Sequence, residues 1–154
     1  MTLGTALLII GVSAAPIAEL RGGIPLAISQ GCSPTAAFLL AVVGNLLVVL
    51  PLLFGLEAFE RVLLRWRISR RLLDWVLARA RKKSRWVEHW GPIGLILLVA
   101  IPLPGTGAWT GSIVARLLGI DPRKAFPWIA VGVLIAGILV LLASVGALHL
   151  VGIE

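Results

Sequence analysis

Residues 35–56 read TAAFLLAVVGNLLVVLPLLFGL. The stretch is 22 residues long, carries no charge, and holds one strongly polar side chain in its interior, Asn45. A helix rises 1.5 Å per residue, so roughly 20 apolar residues cross the hydrocarbon core of a bilayer. This is the clearest transmembrane helix in the chain. Ser33 or Thr35 suits its N-cap, Pro34 suits its first turn, and Pro51 is placed to kink it.

The rest of the chain fits such a setting. Of its 154 residues, 59% are hydrophobic and 14% charged, and the mean hydropathy is +1.04. A soluble domain is nearer half apolar and a quarter charged. One this small could not hide so much apolar surface. The composition excludes a cytosolic enzyme and a disordered chain, and indicates a single integral membrane domain. The net charge is +7, yet ten of the 14 Lys and Arg residues lie between Arg61 and Arg85, bounded by long apolar runs. That pattern marks a cytoplasmic segment, not a nucleic-acid surface. Trp66, Trp75, Trp86 and Trp90 crowd the same segment, as at a membrane–water interface.

Leu3 to Ala18 is apolar, with no basic residue before it. Ser13-Ala14-Ala15 has the small side chains of a cleavage site, but the missing basic n-region argues for a retained segment. Glu19-Leu20-Arg21-Gly22-Gly23-Ile24-Pro25 then interrupts the apolar sequence, and Gly31-Cys32-Ser33-Pro34 reads as a turn. From Glu57 to Trp90 apolar residues recur at helical spacing among arginines (Phe59, Val62, Leu63, Trp66, Leu73, Val76, Leu77, Ala80). This predicts a basic amphipathic helix or helix pair on the membrane surface, broken near Ser69. Ile93 to Ala100 is apolar and short. Residues 101–112 (IPLPGTGAWTGS) hold two prolines and three glycines, too many for one continuous helix. Helical character resumes over Ile113–Leu118, a second turn follows at Gly119–Pro122, and Ala125 to Leu150 is long enough to span.

Displacing the sequence by 88 residues against itself aligns Pro16, Gly23, Gly31 and Pro34 with Pro104, Gly111, Gly119 and Pro122. Between Pro16 and Leu46 there are 10 identities in 31 gap-free positions. Apolar composition alone does not align four turn residues. The chain is therefore expected to hold two repeats, 1–56 and 91–154, joined by the linker 57–90. In each, two short apolar segments flank a Gly/Pro-broken polar centre and lead into a full-length helix. Segments of about 10–15 residues are too short to cross singly. Each pair is expected to form a re-entrant hairpin, and irregular backbone at that depth must face protein or a wet cavity. The predicted fold is all-α, with two inverted-topology repeats. Both termini then lie outside, and 13 of the 14 basic residues lie on the cytoplasmic side of the inner membrane. A rival reading makes every apolar segment a full span.

Inverted repeats and broken helices around a midplane site mark secondary transporters. Glu19 and Arg21 carry the sharpest signal, because charges at mid-membrane cost at least roughly 2.5–3.5 kcal/mol on insertion scales. They either neutralise each other and lock the hairpin, or serve transport. In the second case Arg21 holds an anionic group, with help from N–H groups near Gly22 and Gly23. Thr106, Gly107, Trp109, Thr110 and Ser112 line the opposing tip, and Glu19 carries a coupling proton. Gly44 and Asn45 read as helix-packing devices. Cys32 is alone, so no internal disulfide forms. His89 and His149 are isolated and predict no metal site, and no cofactor or hydrolase motif occurs.

The motifs Glu19–Pro25 and Pro102–Gly111 together resemble the putative small multidrug export protein family, over nearly the whole chain. That family is similar in turn to the DedA (VTT-domain) superfamily of membrane proteins, whose members have two opposed re-entrant hairpins. The resemblance implies an ion-coupled transporter, not an enzyme, moving an amphipathic anion such as polyprenyl phosphate. Arg116, Pro122 and Arg123 are the nearest equivalents of a longer Arg/Pro motif in that superfamily. The alternatives are a proton/lipophilic-cation antiporter and a non-transporting membrane scaffold. Two full spans give one chain little wall around a cavity, so a homodimer or higher homo-oligomer in the lipid bilayer is expected.

Overall fold

The computed structural model describes residues 2–55, 69–103 and 105–151. All regular structure among them is helical. The elements are α1 (Leu3–Ala14), α2 (Glu19–Ser29), α3 (Pro34–Phe54), α4 (Ser69–Ala100), α5 (Ala108–Leu117) and α6 (Pro122–Val151). Residues 57–68 of the predicted linker, with Leu56 before them, lie outside the described residues.

Local chemistry sets the boundaries. Ser33 caps α3, its Oγ accepting from the Ala36 N–H at 3.3 Å, with Pro34 in the first turn. Asp121 does the same for α6, accepting from the Arg123 N–H at 2.8 Å. The turns before these two helices share one hydrogen-bond pattern. Gly31 and Gly119 both adopt positive φ (76° and 66°). The Gly31 and Cys32 N–H groups return to the Ile28 and Ala27 carbonyls. Those of Gly119 and Ile120 return to Arg116 and Ala115. Only a residue without a Cβ adopts this left-handed corner at no steric cost. The long α4 is interrupted at Gly91 (φ 55°, ψ −130°), just before Pro92. The interruption separates its basic 69–90 portion from the apolar 92–100 portion.

Helices α3 and α6 pack on each other at the centre. The α1–α2 pair lies against α3, and the end of α4 with α5 lies against α6. Two crossed contacts, α2 with α6 and α5 with α3, tie the halves together. One apolar core runs through the junction, with Ile24, Val49, Leu53, Leu95, Val99, Ile113, Ile129 and Val133 buried. Close approach is permitted by small residues. A Cβ at Gly44 would strike the Ile10 backbone carbonyl, and one at Gly132 would come within 2.9 Å of the Ile96 carbonyl.

The outer faces are apolar too. Leu39, Val43, Leu47, Leu50 and Phe54 form an exposed stripe along α3. Val131, Leu134, Ile135, Ile138, Leu139 and Leu142 form another along α6. Both helices are long and apolar enough to span a bilayer (mean hydropathy 2.6 and 2.7). Exposed apolar stripes of this kind are consistent with a membrane protein.

Candidate functional site

The two broken segments meet tip to tip. The first tip is the turn at residues 15–18 between α1 and α2. The second lies between α4 and α5, and Thr106 holds it together. Its Oγ1 lies 2.6 and 2.7 Å from the Ile101 and Leu103 carbonyls and accepts from the Leu103 N–H at 3.2 Å.

Glu19 opens α2 and is 6% exposed. Its Oε1 accepts from the Trp109 N–H at 3.2 Å, and the Ala108 N–H also faces the carboxylate. These are orphan N–H groups of the first turn of α5, where Gly107, the N-cap residue, offers no side chain. Glu19 is therefore the N-terminal cap of a helix 90 residues away. The helix dipole adds to the attraction. Gly107 makes the contact feasible, since a Cβ there would collide with the Glu19 carboxylate, and its φ of 121° suits glycine.

Arg21 is half-buried and also reaches across. Its Nη2 donates to the Thr106 carbonyl at 2.9 Å and to the Thr106 hydroxyl at 3.1 Å. The Trp109 indole N–H closes a third cross-link, to the Ala14 carbonyl at 2.9 Å. Three links spanning 85 to 95 residues thus join the tips. Glu19 and Arg21 each hydrogen-bond the opposite hairpin, and their opposite charges also attract one another.

The structure brings Glu19, Arg21, Thr106, Gly107 and Trp109 together. The other predicted site residues lie elsewhere or are spent locally. A Cβ at Gly22 would meet Ala18, and one at Gly23 would meet Ser13 and Ala41, so both glycines serve packing of α2 against its neighbours. The Thr110 hydroxyl lies 3.3 Å from the Gly105 carbonyl, and the Ser112 hydroxyl donates to the Ala108 carbonyl at 2.7 Å. The half-helices begin at Glu19 and Ala108, the second of them five residues before the Ile113 at which helical character was expected to resume. The N-terminus of α5 already carries an internal anion, the Glu19 carboxylate.

A small cavity lies beside these links. It is walled by Glu19, Arg21, Asn45, Gly107 and Ala108, and by Val99, Val133, Ala136 and Val140. Its free volume is about 10 Å³, room for roughly one water molecule. Asn45 is the residue that sequence reasoning assigned to packing. Its position mid-helix gave no sign that it faces the same space as Glu19. Among the described residues, no group of three or more His, Cys, Asp or Glu side chains gathers that could hold a metal ion.

An all-helical body with two long apolar helices is consistent with a membrane protein. A family model described as "putative small multi-drug export protein" matches residues 19–139, from the capping carboxylate to the middle of α6. The chain belongs to this family. No curated protein and no solved structure matches it significantly.

Proposed function

We propose that the chain is a secondary exporter of small lipophilic cations, with Glu19 exchanging between substrate and proton. The observation that carries this reading is the buried Glu19 carboxylate, set on the N-terminus of α5 at the wall of the cavity. The family's description as "putative small multi-drug export protein" supports export of drug-like compounds. A charge-assisted hydrogen bond is about twice as strong as a neutral one. Ionised, Glu19 fastens the tips. A proton or a substrate cation neutralises it and loosens the fastening. The cavity is too small for a drug-sized compound, so this conformation is the closed one, and entry requires the tips to part.

The proposed frame is two inverted repeats with re-entrant hairpins. Several features support it. The starts of α3 and α6 lie 88 residues apart, as do the ends of α2 and α5. The cavity is walled by three residue pairs at the same spacing: Glu19 with Gly107, Leu20 with Ala108, and Asn45 with Val133. A site shared by equivalent positions belongs on a pseudo-two-fold axis at mid-membrane. The basic stretch then faces the cytoplasm, both termini face outward, and a second copy completes the wall.

One observation favours a second reading, transport of a lipid phosphate. Among the described residues only Nη2 of Arg21 is committed, to Thr106, which leaves Nε and Nη1 as donors for an anion. Proteoliposomes with an imposed pH gradient separate the two. Under the exporter reading, tetraphenylphosphonium moves in the wild type and Glu19→Gln abolishes that movement. Movement of polyprenyl phosphate alone, lost in Arg21→Ala, would establish the second reading instead.

A further inference from the structure

Asn45 stands mid-way along α3, is 1% exposed, and walls the cavity beside Glu19 and Arg21. Both its amide Nδ2 and its Oδ1 are buried with no protein partner among the described residues. An unpaired amide is costly anywhere in a protein interior, and more so at membrane depth, where bulk water gives no relief. Packing does not explain it. The neighbouring Gly44 has a packing reason, the close approach of α1. Asn45 has none, and Val133 on α6 walls the same cavity with an apolar side chain. A donor and an acceptor kept beside a cavity of one-water size call for a ligand that can both accept and donate.

We propose that Asn45 is the second polar anchor of the transport site. It binds a hydrogen-bonding group of the transported cation, and a water takes that place when the site is closed. The inference rests on the exporter reading above and narrows the substrate class. Preferred compounds carry a positive charge for Glu19 and, beside it, an amine, amide or hydroxyl for Asn45. Sites built to hydrogen-bond a substrate discriminate strongly against analogues that lack the group.

The test compares two cations in proteoliposomes, ethidium with its two amino groups and tetraphenylphosphonium with none. In Asn45→Val the ratio of ethidium export to tetraphenylphosphonium export is expected to fall about tenfold, the equivalent of one hydrogen bond to a charged or well-placed group. Asn45→Ser, which keeps a donor and an acceptor, should restore most of that ratio. The melting temperature of Asn45→Val should hold or rise, because an unpaired amide has been removed. A ratio unchanged from wild type would overturn the proposal. So would a sharp drop in melting temperature, which would show that the amide is held by protein partners. A wild type that exports neither cation would sink the exporter reading, and this inference with it.

Discussion

Glu19 adopts φ 46°, and among the described residues it is the only non-glycine with positive φ. A left-handed backbone costs an ordinary L-residue roughly 1–2 kcal/mol. The position 88 residues later, Gly107, also has positive φ and carries the residue suited to it. Strain kept at one residue, where glycine would relieve it, points to a task for the side chain. Gly107 is constrained as tightly. Gly107→Ala should lose export and lower the melting temperature, because its methyl group meets the Glu19 carboxylate. A variant with wild-type stability and transport would contradict the capping geometry. The polar residues of the site were legible in the sequence as charges and hydroxyls inside apolar runs. Their partners were not, because each link joins residues 85 to 95 apart. Local sequence cannot distinguish a threonine hydroxyl offered to a ligand from one bonded to its own turn, as Thr106 is.

The spanning helices and their turns were readable because their signals are local: a charge-free run, a cap, a Gly-Pro corner. The start of α5 was misplaced by a few residues, because its cap, Glu19, comes from the opposite hairpin and leaves no local mark. Helix approach is set by small residues at the crossings, Gly44 against Ile10 and Gly132 against Ile96. Gly44→Ala drives a methyl group into a backbone carbonyl that cannot rotate away. Overpacking of this kind costs about 1–3 kcal/mol. Detergent melting should show the drop, while Gly146→Ala, which has open space around it, should not.

The molecule as a whole presents apolar stripes outward and gathers its buried charge at one central junction. If lipid covers the α6 stripe, Leu139→Arg places a charge in hydrocarbon at a cost of roughly 2.5–3.5 kcal/mol. Its level in the membrane should fall well below that of Arg123→Ala, made at the exposed start of the same helix. Equal levels would argue that the stripe is covered by protein.

The central claim is that one carboxylate serves both proton and substrate, and equilibrium binding tests it without any assumption about direction or rate. Tetraphenylphosphonium affinity of the purified protein would be measured across a pH series, for the wild type and for Glu19→Gln. Arg21 is the other charged group at the cavity. Competition predicts that wild-type affinity weakens as pH falls, approaching tenfold per pH unit once the proton dominates. In Glu19→Gln binding should be weak and independent of pH. Tight binding in Glu19→Gln with the same pH dependence as wild type would contradict the account.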